Sequence, residues 1–160
     1  MARKKPDASD ADIVLKLYDL RREKVMRDSR NAMFGFTPKT WDEMTAILQP
    51  DHPQNAAFRQ VSSYYEMAYG LARHGAVDAE LLAESTVEGL VLYAKVRPFV
   101  ARLRAEQSPF AFANAEWMVK KSKHAKARFA LIQERVRKQG TPAKEEPVPK
   151  TKKSKDEAKA

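Results

Sequence analysis

The sequence predicts an all-α fold, a single bundle of four to five helices with a disordered basic C-terminal tail. Three observations predict it. Apolar residues recur at helical spacing, most cleanly at Phe58, Val61, Tyr65, Ala68 and Ala72. Proline and glycine fall mostly between such stretches, at Gly35, Pro38, Pro50, Pro53, Gly75, Pro109 and Gly140. A chain of 160 residues with 43% apolar content suffices for one sizeable core.

Taken in order, residues 1–9 read as a disordered lead-in. Ser9 or Asp10 can cap a first helix, with Asp10 and Asp12 near its positive end. That helix should run to about Arg30 on a stripe of Ile13, Leu17 and Leu20, and Gly35 with Thr37-Pro38 should break the chain. Thr40 or Pro38 starts a short second helix through Leu48. The stretch Gln49-Pro50-Asp51-His52-Pro53 is the clearest turn. Asn55 can cap a third helix to His74, which Gly75 closes.

Asp78 caps a fourth helix over 79–107. At roughly 100° per residue, Glu80, Glu84, Glu88, Lys95 and Arg102 share one polar sector, and the rest of the girth is apolar, as a central helix requires. Pro98 should kink it. The fifth helix, 112–139, carries Met118, Ser122, Ala125, Phe129, Ile132 and Val136 at 4-3-4-3-4 spacing, a seam able to face the same chain or a partner. These helices make one domain over 10–139, and residues 140–160, rich in Lys, Glu and Pro, form the tail.

Composition excludes several chemistries. With no cysteine there is no disulfide, thiolate metal site or cysteine nucleophile. Three histidines and five glycines leave little for an imidazole metal site or a phosphate loop, and no cofactor is expected. The longest uninterrupted apolar run, Leu90 to Ala94, is too short to span a bilayer, and the N-terminus lacks the apolar stretch of a secretory signal, so a cytoplasmic protein is expected.

Charge is unevenly placed. Residues 1–105 carry 16 basic and 14 acidic groups, whereas 106–139 carry 8 and 3. Lys120, Lys123, Lys126, Arg137 and Lys138 lie opposite the seam and could hold polyanions by charge, although lysines also make ordinary solvated faces. Glu66, Glu84, Glu88 and Glu116 come from several helices, but the Glu-x-x-His pairs of a di-metal centre are missing and no metal ligands are assigned. Glu66, His74 and Glu88 could meet as acid and base, with Arg73 a candidate partner for Glu88, yet a histidine before a glycine is commonly a helix cap. No catalytic residue is assigned. The tyrosines and tryptophans read as core with hydroxyls at its rim.

Four stretches carry a resemblance: Leu17 to Glu23; Asn55 to Val77 with Tyr65-Glu66-Met67 and His74-Gly75; Glu88-Gly89-Leu90 with Ala94-Lys95-Val96; and Asn114-Ala115-Glu116-Trp117. Over roughly residues 10–125 they resemble an uncharacterised family of small helical bacterial proteins, common in soil groups such as acidobacteria. The resemblance implies a bacterial cytosolic helical domain and no chemistry. It directs attention to Glu66, His74, Glu88, Glu116 and Trp117 as a polar site, should those side chains converge. The leading reading is a non-enzymatic helical interaction or scaffold protein, with self-association or an unidentified protein partner and no membrane. The runner-up is a nucleic-acid-associated protein using the basic fifth helix and tail.

Overall fold

The computed structural model describes residues 5–142 and 144–150, and every regular element among them is helical. The order is α1 (Ala8–Arg22), α2 (Lys24–Gly35), α3 (Trp41–Ala46), α4 (Asn55–Arg73), α5 (Ala79–Ser85), α6 (Glu88–Val96), a 3-10 turn (Arg97–Phe99), α7 (Val100–Glu106), α8 (Ala113–Lys121) and α9 (Lys123–Lys138). The all-α class stands as predicted. The bundle of four to five long helices does not, because three of the predicted helices are broken.

Each break falls at a definite residue. The first helix stops at Glu23, which is extended (φ −55°, ψ 143°). The fourth breaks at Thr86, whose hydroxyl donates to the Leu82 carbonyl at 2.9 Å, and again at Pro98, where the expected kink takes the form of the 3-10 turn. The fifth breaks at Ser122, an expected seam position that is instead the N-cap of α9: its Oγ accepts the Ala125 N–H at 3.0 Å and donates to Glu80 at 2.8 Å. The Glu80 carboxylate also accepts the N–H groups of Lys123 and His124, at 2.7 and 3.0 Å. A helix end leaves backbone groups without partners, so a break is stable only where side chains supply them.

Other caps also differ from the sequence expectation. Asp7, not Ser9 or Asp10, caps α1, in a reciprocal capping box with Asp10. Asn55 is the first residue of α4, and its side chain donates to the Ile47 carbonyl just past α3 at 2.8 Å. Asp78 caps α5 as predicted, accepting the Leu81 N–H at 2.8 Å, and Gly75 follows α4 at φ +77°. Of the lead-in, residues 1–4 lie outside the described residues.

The core forms where α4 packs between α2 and α8 and where α6 packs on α9. Tyr69, Tyr93, Phe99, Met44, Leu90 and Met118 are fully buried. The central element is α6 alone, buried along nearly its whole girth. The seam of α9 is buried within the chain: Ala125, Phe129, Ile132 and Val136 are all core, so it does not protrude as an unpartnered stripe. Beyond Gly140 the chain turns back over the 3-10 turn, where the Glu146 N–H donates to the Pro98 carbonyl at 2.8 Å. Residues 151–160 of the predicted tail lie outside the described residues.

The approach of α4 to α6 depends on Gly89. A Cβ there would overlap the Tyr69 hydroxyl and stand 2.6 Å from two ring carbons of Tyr65. Gly89→Ala is therefore expected to cost about 1–3 kcal/mol, seen as a lower urea midpoint with an unchanged slope. An unchanged midpoint would show that the helices can separate freely.

Candidate functional site

The polar centre of the molecule is built on Glu88, the first residue of α6, at the meeting of α1, α2, α4 and α6. Arg21 of α1 reaches Glu88 Oε2 with Nη1 at 3.0 Å, and Arg30 of α2 pairs with Oε1 through Nη2. Tyr65 of α4 donates its hydroxyl to Oε2 at 2.5 Å. A second Arg30 nitrogen donates to the Arg21 backbone carbonyl at 3.2 Å, tying α2 to the end of α1. Beside it, the Tyr64 hydroxyl donates to the Leu17 carbonyl. The Arg21, Arg30 and Glu88 side chains are only 17–20% exposed.

Two guanidinium charges thus face one carboxylate, and the Nε atoms of Arg21 and Arg30 are buried without a hydrogen-bond partner. Burial by itself would raise the Glu88 carboxyl. The Tyr65 hydroxyl and the Arg21 and Arg30 charges outweigh it and hold the group below the ordinary carboxylate value. Burial, then the neighbouring carboxylate, pushes the Tyr65 phenol well above its usual range, so Tyr65 remains a donor.

Near this centre a cavity of about 30 Å³ opens between α2 and α6, with Arg30, Glu88 and Lys95 on its lining. That is room for about one water. Lys95, placed by its sequence in a solvated polar sector, is only 3% exposed. Its ammonium donates to the carbonyls of Met33 and Phe34 at 3.0 and 2.9 Å, at the negative end of α2. Burial lowers its pKa.

The five residues expected as a polar site do not converge. Glu66 accepts the N–H groups of Asn114 and Ala115 at 3.0 and 2.8 Å, capping α8 from α4. Its burial outweighs those bonds and the nearby Arg104 and Arg73 charges, and raises its pKa. Glu116 pairs with Arg104 at 2.8 Å and Lys120 at 2.9 Å. Trp117 is half-buried against the core. His74 is the exposed C-cap of α4. Glu66 and Glu116 share the neighbourhood of Arg104, whereas Glu88 belongs to a separate cluster. Nor is Arg73 the partner of Glu88; it donates to Asn114 at 3.1 Å.

The expected basic face is divided by the break at Ser122. Lys120 pairs with Glu116 on α8, and Arg137 and Lys138 pair with Glu134 on α9, at 2.8 and 3.7 Å. Lys123 and Lys126 stand apart from these in the first turn of α9. Glu84 is exposed, while Glu80 and Glu88 are engaged, so the predicted acidic stripe is not a single solvated face. Sequence reasoning assigned no role to Arg21 or Arg30 and read Tyr64 only as a core aromatic with its hydroxyl at the rim. The one available signal was Gly89 beside Glu88, a glycine within an apolar run that marks close approach of another element. Among the described residues no group of His, Asp or Glu is arranged to hold a metal ion, and no helix is long and apolar enough to cross a membrane.

Residues 6–122 match the family described as Domain of unknown function (DUF4760). The chain belongs to this family. No curated protein and no solved structure matches it. The DUF4760 region takes in α1 to α8 and the whole Glu88 cluster, and it ends at the Ser122 cap. Helix α9 lies past the matched residues although its apolar face completes the core.

Glu88→Gln in this DUF4760 protein leaves two buried guanidinium groups without a counter-charge. A loss of about 2–4 kcal/mol at neutral pH is expected. Because the folded pKa of Glu88 is depressed, its stabilisation is present above the unfolded value of about 4.3 and is lost as pH falls through the lower folded value. Urea titrations from pH 7 to pH 3 should show a wild-type acid limb that flattens in Glu88→Gln. Parallel curves for the two proteins would remove Glu88 as the source.

Proposed function

We propose that the protein is a non-catalytic helical interaction module of the bacterial cytoplasm that pairs with a second copy of itself through the outward face of α1. One observation carries this reading. On α1 only Leu17 is fully buried, and the opposite face bears a second stripe at 3-4-3-4 spacing: Ala8, Ala11, Leu15, Tyr18 and Arg22. Leu15 is 62% and Tyr18 46% exposed. Such spacing on a helix is the geometry that helix pairs use.

The polar groups bordering the stripe suit an antiparallel pair. Asp12 and Asp19 flank one edge, and Arg22 ends the stripe with its guanidinium 5.8 Å from the centre of the Tyr18 ring. With two copies reversed, Arg22 of each stands near Asp12 of the other, so one surface serves both partners. Paired helices of this length bury less than a standard stable interface, so the association is weak and concentration-dependent.

Light scattering on the full chain across a concentration series tests the reading. The mass should rise from 18.2 kDa toward twice that value, and Leu15→Glu, on an exposed face, should hold it at one chain with little change in melting temperature. A wild-type protein that stays at one chain at the highest concentration overturns it. Binding to DNA or RNA that declines steeply with salt would favour the nucleic-acid reading instead.

A further inference from the structure

We propose that the groove that receives Glu145 and Glu146 is a binding surface for extended acidic peptides, and that the chain's own residues 144–150 occupy it as a displaceable strap. The proposal uses none of the α1 residues and stands apart from the pairing reading. Its floor is the 3-10 turn with the start of α7. Arg97 pairs with Glu145, and Arg102 lies 3.6 Å from Glu146. The Pro98 carbonyl accepts the Glu146 N–H at 2.8 Å. Arg102 is held in place by Trp41, whose ring centre lies 4.3 Å from the guanidinium, and by Glu106 at 2.7 Å. Arg102 is therefore fixed, while residues 144–150 have no regular secondary structure and are mostly exposed.

Two features mark the strap as replaceable. Its ion pairs are only partly covered, with Glu145 49% and Glu146 28% exposed, and pairs near the surface contribute little individually. The strap keeps its place chiefly because it is tethered, which gives it a high effective concentration. It also fills the groove incompletely. A cavity of about 420 Å³ remains beside it, with Ala94, Pro98, Ala130 and Val136 on its apolar part and Arg97, Arg137 and the Arg137 partner Glu134 on its charged part. Thr141 also lines this cavity, 5% exposed, with a hydroxyl that has no hydrogen-bond partner. The strap brings Lys144 to this space, a residue suited to solvent rather than to an apolar wall. A better occupant carries a bulky apolar residue immediately before a pair of carboxylates. That defines the partner's chemistry: an extended segment of the form apolar-acidic-acidic.

The test uses the full chain and a full-length Glu145→Lys, Glu146→Lys variant, whose strap is repelled by Arg97 and Arg102. Glu145 is exposed and Glu146 partly so, and a parallel Glu145→Gln, Glu146→Gln variant serves if charge reversal perturbs folding. The probes are fluorescein-labelled peptides of residues 141–150, the same peptide with Lys144→Leu, and a scrambled peptide of the Lys144→Leu composition, read by anisotropy at low and high NaCl. The released variant should bind the Lys144→Leu peptide roughly tenfold more tightly than the wild type does, the gain expected from removing two competing exposed ion pairs. It should prefer that peptide to the unaltered one, and added salt should weaken both. Equal binding by wild type and released variant would overturn the strap. Equal binding of the scrambled peptide would reduce the effect to general attraction by a chain of charge +9 and overturn the site.

Discussion

A single carboxylate organises the N-terminal half of this molecule. Glu88 receives Arg21 from α1, Arg30 from α2 and Tyr65 from α4 while it begins α6, so four helices meet at one side chain. The need for such a centre follows from how little apolar surface α1 contributes. Leu17 is its one fully buried residue, and Ile13 and Val14 are only partly covered. What attaches α1 is polar: Arg21 to Glu88, the Leu17 carbonyl to Tyr64, and Asp10 to the Asp78 N–H at 2.7 Å. A helix attached in this way is free to expose apolar residues on its outer face.

The same device recurs at several other helix ends. Short helices expose unsatisfied N–H and C=O groups at frequent intervals, and burial requires that each be met. Glu66 meets those of α8, Glu80 those of α9, Lys95 the final carbonyls of α2, and Asn55 the end of α3. Charges that look like surface or site residues are thus helix caps contributed from other elements. Burial shifts Glu66 and Lys95 toward their neutral forms, and the helix ends they serve favour the charged ones.

This explains which features were legible in the sequence. Local patterns were readable: the stripe of α4, its end at Gly75, the Asp78 cap, and the apolar girth of α6 depend only on neighbours along the chain. The breaks at Glu23, Thr86 and Ser122 were not, because their helical neighbours favour continuation, and at Ser122 the group that fixes the new helix start comes from elsewhere. Ser122 fell at a seam position by spacing, yet Glu80, more than forty positions earlier, makes it a cap. The polar site failed for the same reason. Glu66 and Glu88 both lie on the helical wheel without information about which arginine or helix end they will meet. Arg21 and Arg30, in a highly charged stretch, resembled ordinary surface residues.

Hydrogen exchange on the full chain, wild type against Glu88→Gln, most directly tests whether polar contacts rather than apolar burial hold α1. Amides in the last two turns of α1 should lose protection in the variant well before those of α4 and α6, which keep their apolar packing. If α1 keeps its protection while Glu88 is uncharged, or opens only together with α4 and α6, the Glu88 cluster is not what anchors it.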